Sequence, residues 1–83
     1  MIKLSEDSLK ILRECLRRQR AELLPLIEDS TISEFTPEFY NMIREIVGDE
    51  FIERGLNVDD EPNEYGVRLE SLIDEIGRLF LYD

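Results

Sequence analysis

The sequence predicts an all-α fold: a small three-helix bundle whose second helix breaks near Gly48, giving three to four helices. Three observations carry this. Apolar residues recur every three or four positions in three stretches, Leu9 to Leu23, Phe39 to Val47 and Tyr65 to Phe80. Each stretch opens on a helix-start signal, Ser5-Glu6-Asp7, Thr36-Pro37-Glu38 or Glu61-Pro62. Acid-to-base pairs in the favourable i, i+4 order recur in each helical region: Glu6–Lys10, Glu14–Arg18, Glu50–Arg54, Glu64–Arg68 and Asp74–Arg78.

The first helix starts at Ser5, a good N-cap, with Glu6 and Asp7 at the positive end of its dipole. Leu9, Leu12, Leu16 and Leu23 form its apolar stripe, with Cys15 at the edge. Lys10, Arg13, Arg17 and Arg20 form a basic stripe alongside. The helix is expected to end or kink just before Pro25. In residues 25–36, Leu26, Ile27, Ile32 and Phe35 suit a segment laid over the core. Glu28-Asp29-Ser30-Thr31 reads as a turn, with a short helical turn around Leu26 as an option.

Thr36-Pro37-Glu38 supplies a capping hydroxyl, a proline at the first helical position and an acid. Phe39, Met42, Ile43, Ile46 and Val47 line one face, and the phase breaks at Gly48. The pattern predicts an end there, Asp49 capping a short piece through Arg54, and Gly55 closing it as a C′ glycine. One helix bent at Gly48 is the alternative. Leu56 and Val58 are expected to pin the next loop to the core, and Pro62 to open the last helix. In that helix Tyr65, Leu69, Leu72, Ile73, Ile76, Leu79 and Phe80 share a narrow apolar arc. Such an arc must be buried against other parts of the chain. The predicted core is Leu9, Leu12, Leu16, Leu23, Phe39, Ile43, Ile46, Val47, Leu69, Leu72, Ile73, Ile76 and Phe80. Gly66 and Gly77 lie on one side of the last helix, which suggests close approach of another backbone, from this chain or a partner.

The 83 residues make one domain, small enough for a homodimer to be an option. No apolar run reaches the roughly 18 residues of a membrane span, and MIKLSEDSLK lacks the apolar core of a signal peptide. A lone cysteine excludes an internal disulfide. A cytoplasmic protein is expected.

Charge is the strongest global signal. Ten bases against twenty acids give a net charge of −10, which opposes nucleic acid and anionic lipid and favours a basic partner. Residues 1–20 hold six bases and three acids, a net +3; the remaining 63 hold four bases and seventeen acids, a net −13. The stripe of Arg13, Arg17 and Arg20 is therefore expected to meet the chain's own acids, with an acidic partner or a phosphate backbone as the alternative.

Catalytic machinery is sparse, so no enzyme, cofactor or metal is expected. There is no histidine, no glycine-rich phosphate loop, and no partner for a Cys15 nucleophile. Asn57, Asp59, Glu61 and Asn63 alternate as in a calcium loop, but Pro62 replaces the turn glycine and Arg68 the closing glutamate. The residues with a partner-binding reading are Asp59, Asp60, Glu61 and Glu64, where loop meets helix, and Glu70 and Asp74 on the polar side of the last helix.

The segment DEPNEYGVRLESLIDEIGRLF, an acidic loop entering a polar-capped amphipathic helix, resembles small acidic bacterial immunity proteins of polymorphic or contact-dependent toxin systems, over roughly residues 59–80. The resemblance implies a cytoplasmic protein that masks the active site of a cationic toxin. The expected function is a non-catalytic, stoichiometric inhibitor of a basic partner such as a toxin. The alternative is a homodimeric structural or assembly module.

Overall fold

The computed structural model describes residues 3–29 and 35–81, the side chains of Phe80 and Leu81 excepted. It is a small all-α bundle. Helix α1 spans Glu6–Gln19, a 3₁₀ turn spans Ala21–Leu23, and α2 spans Leu24–Glu28; α3 spans Pro37–Arg54 and α4 Glu64–Leu81. Helices α3 and α4 form the main pair, and α1 lies across both.

The start of α1 is fixed twice. Ser5 Oγ accepts from the Ser8 N–H at 3.3 Å, as an N-cap should. Glu75 of α4 then accepts from the Ser5 N–H at 2.7 Å and from both serine hydroxyls, tying the first turn to the far helix. Helix α1 stops at Gln19, well before Pro25, because Arg20 leaves helical geometry. The chain folds back there, so Leu23 and Ile27 both reach the core. Pro25 sits in the first turn of α2, where its missing N–H breaks no helical bond. Phe35 is partly buried against the core, whereas Leu26 is exposed. The expected turn at Ser30-Thr31 and the covering role of Ile32 lie outside the described residues.

Thr36 caps α3 through its Oγ1, 3.1 Å from the Phe39 N–H. The predicted break at Gly48 does not occur: α3 is one helix to Arg54, and Asp49 is an exposed helical residue. A helical glycine costs about 1 kcal/mol, less than the contacts Glu50 makes by continuing the helix. A Cβ at Gly48 would meet nothing within 4 Å among the described residues, and no glycine has positive φ. Gly48→Ala should therefore raise stability by about 0.5–1 kcal/mol, read as a higher Tm in thermal melts.

Between α3 and α4 the chain makes a tight hairpin. The Asn63 N–H reaches the Gly55 carbonyl at 2.9 Å, and the Asn57 N–H reaches the Glu61 carbonyl at 2.7 Å. Asp60 adopts positive φ at the tip, and Asp59 Oδ1 accepts from the Glu61 N–H at 3.2 Å. Asn63, not Pro62, begins α4: its Oδ1 accepts from the Gly66 N–H at 2.7 Å, while its Nδ2 donates to the Arg54 carbonyl at 3.0 Å. Val58 does not pin the loop; it is fully exposed, and Leu56 alone is partly buried. Gly55 ends α3 with φ −97, so its lack of a side chain serves packing rather than a left-handed turn. A Cβ on Gly66 would lie 2.0 Å from the Gly55 carbonyl oxygen. The close approach expected at Gly66 is thus internal; Gly77 shows none among the described residues.

The core follows the predicted stripes. Leu9, Leu12, Leu16, Leu23, Ile43, Ile46, Val47, Leu69, Leu72 and Ile76 are buried, with Phe39 and Ile73 partly buried against them. The Phe80 side chain lies outside the described set. Cys15, Ile27 and Tyr40 are buried core members beyond those predicted.

Candidate functional site

The hairpin and the outer side of α4 carry the predicted carboxylates. Asp59, Asp60 and Glu61 occupy the tip, held by the backbone bonds above, and Glu64 is the first residue of α4. Glu70 and Asp74 follow one turn apart on the same helix. All six are exposed. Glu64 and Asp74 are separated by about 15 Å of helix rise, so the structure arranges the six as an elongated strip rather than one cluster.

None of the six lies within 4 Å of a cationic group among the described residues. Of the expected i, i+4 pairs, Glu14–Arg18 at 3.7 Å and Glu50–Arg54 at 3.4 Å form; Glu6–Lys10, Glu64–Arg68 and Asp74–Arg78 are not among the ion pairs. The helix-one arginines behave differently. Arg13 pairs with Glu28 at 2.6 Å, Arg17 with Glu14 at 2.5 Å and Arg20 with Glu22 at 2.7 Å. The basic stripe is answered by acids close to it in the chain. Among the described residues no cation lies within 4 Å of the six acids of the hairpin and outer α4, and residues 37–81 hold twelve acids against four bases.

The interior holds a polar knot that helical periodicity does not reveal. Glu50 is fully buried on α3. Its Oε2 accepts from Arg18 at 2.7 Å and from the Tyr65 hydroxyl at 2.7 Å, and its Oε1 accepts from Gln19 at 3.2 Å. Tyr65 Oη accepts in turn from Arg18 Nη2 at 2.8 Å. Its single proton goes to Glu50, so the Cys15 thiol, 3.7 Å away, donates to the phenol. Burial by itself would push the Glu50 carboxyl up; the bonds from Tyr65, Arg18 and Gln19 prevail and hold it below the usual range. Burial, with Glu50 nearby, pushes the Cys15 thiol up to about 11, which leaves it protonated and weakly nucleophilic at neutral pH.

The signal for this knot was an acid and an arginine, each read in sequence as half of an i, i+4 surface pair, and a tyrosine read as part of an apolar arc. The knot joins α1, α3 and α4 at one point, and its geometry is that of a structural clasp. Among the described residues no group of three acids or cysteines converges as metal ligands. No helix among them is long and apolar enough to cross a membrane. Comparison with protein-family models, curated proteins and solved structures finds no match.

Proposed function

We propose that this chain is a non-catalytic binder of a basic protein, acting as a stoichiometric inhibitor of the kind an immunity protein exerts on a toxin. The observation that supports this reading is the division of charge. Arg13, Arg17 and Arg20 are paired with acids of the first 28 residues, while Asp59, Asp60, Glu61, Glu64, Glu70 and Asp74 stand exposed with no cation within 4 Å among the described residues. A carboxylate on a hydrogen-bonded hairpin has little backbone freedom to lose on binding. Such a field would speed encounter with a cationic groove, and apolar contacts would slow release. The alternative of a homodimer built through the glycine face loses part of its basis, because Gly66 is occupied by Gly55 of the same chain.

The test is association kinetics with the basic protein that copurifies from the native cell. Raising ionic strength from about 0.01 M to about 1 M shortens the Debye length from about 30 Å to about 3 Å and should slow association at least about ten-fold. The triple variant Asp59→Asn/Asp60→Asn/Glu61→Gln should weaken binding at low salt; unchanged affinity would remove the hairpin from the interface.

A further inference from the structure

Gly48 poses a question that the interior does not answer. It sits in the middle of α3, it has open space among the described residues where a side chain would be, and a glycine there disfavours the helix. Its neighbours on the surface supply the context. Helices α3 and α4 turn back on each other and touch at Gly55 and Gly66. Counting about 100° per residue from that contact, Val47, Leu69 and Leu72 are displaced to the side that meets α1. Gly48, Asp49 and Ile52 on α3 are displaced by roughly 20–120° in the opposite sense. So are Val67, Glu70 and Asp74 on α4, and in antiparallel helices the same sense of rotation leads to the same side of the pair. These six residues therefore share one outer face, with Glu45 and Arg78 on the same side farther from the hairpin. Ile52 and Val67, 69% and 55% exposed, both fall on this face near the hairpin end. A single exposed aliphatic residue is ordinary; two on one face beside a bare stretch of helix backbone are less so.

We infer that this outer α3–α4 face, with the Gly48 dent, Ile52 and Val67 at its centre and Asp49, Glu70 and Asp74 around them, is the docking surface for a cationic protein segment that presents an aliphatic side chain flanked by lysine or arginine. Charge complementarity selects that occupant. The three carboxylates have no cation within 4 Å among the described residues. A second copy would bring the same carboxylates against them, and anionic lipid or nucleic acid would be repelled. The dent gives an incoming side chain access to the helix backbone, and Ile52 and Val67 give it an apolar wall. The inference rests on the acidic-binder reading and adds where the apolar contact is made.

The experiment uses the full chain and two defined probes, a helical Lys/Leu amphipathic peptide and a poly-lysine of equal charge, titrated by fluorescence anisotropy at low salt. The wild type should bind the Lys/Leu peptide about ten-fold more tightly than poly-lysine. Ile52→Ser/Val67→Ser should abolish that preference while leaving poly-lysine binding unchanged. Gly48→Ala, which fits the free fold, should reduce the preference while its melting temperature rises. Peptide affinity unchanged in the serine variant overturns the docking face and leaves the acidic-binder reading standing. No binding of either probe by the wild type overturns both. A dimer in sedimentation equilibrium that the serine variant dissociates assigns the face to a second copy and also overturns the inference.

Discussion

Gly66→Ala should destabilise the protein by at least about 3 kcal/mol, a large part of the roughly 4–12 kcal/mol available to a domain of this length. The added methyl would lie 2.0 Å from the Gly55 carbonyl oxygen, 2.9 Å from its carbon and 3.2 Å from its Cα. All three are backbone atoms, so no rotamer change relieves the overlap; the helix ends must separate. Separation would break the bond from Asn63 N–H to the Gly55 carbonyl and loosen the Asn63 cap, both of which set the hairpin. The α3–α4 interface is the largest in the fold, so the displacement spreads along it. Gly55→Ala should cost somewhat less, since its nearest obstacles stand at 2.8 and 3.0 Å. Gly48→Ala is the internal control, an identical chemical change with the opposite sign. Urea denaturation followed by circular dichroism measures all three, and a loss below about 1 kcal/mol for Gly66→Ala would mean that the helices do not touch at this point.

The contrast among these glycines shows how far the sequence could be read. Apolar spacing located the three long helices and most of the core, because burying an apolar stripe is the strongest drive toward folding and leaves a period behind. Caps at Ser5 and Thr36 were legible because each is a local bond between neighbours in the chain. Boundaries set by distant contacts were not. Gly48 looked like a helix end, but Glu50 beyond it is held by α1 and α4. Arg20 gave no breaking signal, yet the chain turns there so that Ile27 can be buried. Pro62 looked like a first helical residue, and Asn63 took the cap because its side chain also bridges to the Arg54 carbonyl. In the candidate surface, exposure of the acids followed from their place off the apolar arc. Their lack of cations did not follow, since i, i+4 spacing offered Arg68 and Arg78 as partners for Glu64 and Asp74.

Glu50→Ala should cost about 2–3 kcal/mol, and it should change how stability depends on acid. Removing one member of a fully buried ion pair costs more, about 3–5 kcal/mol, because the survivor stays charged in a medium of low dielectric. Here the Arg18 side chain is 35% exposed and regains part of its hydration, which places the expected loss at the lower figure. The remainder comes from the Tyr65 hydroxyl, left without its acceptor, while the Gln19 amide loses its bond to Glu50 and keeps the one to Glu53. Glu50→Gln keeps the shape and isolates the charge. The folded carboxyl is held below its ordinary value by Tyr65, Arg18 and Gln19 against the opposing effect of burial, so its ionised form stabilises the fold. That contribution is complete above the unfolded pKa, about 4.3, and is lost as the pH falls through the lower folded value. The stability gap between wild type and Glu50→Gln should therefore be flat from neutral pH to about pH 5 and shrink steadily below about pH 4. Glu75, whose carboxyl is also held low, through its bonds to Ser8 and Ser5 against burial, is present in both proteins and cancels from the difference. A gap that stayed constant through the acid limb would show that Glu50 contributes by packing, not charge. A cycle with Tyr65→Phe decides how the energy is shared: a coupling of about 1 kcal/mol or more marks the phenol as part of the clasp, whereas additive losses would leave the role to Arg18, Gln19 and Arg54.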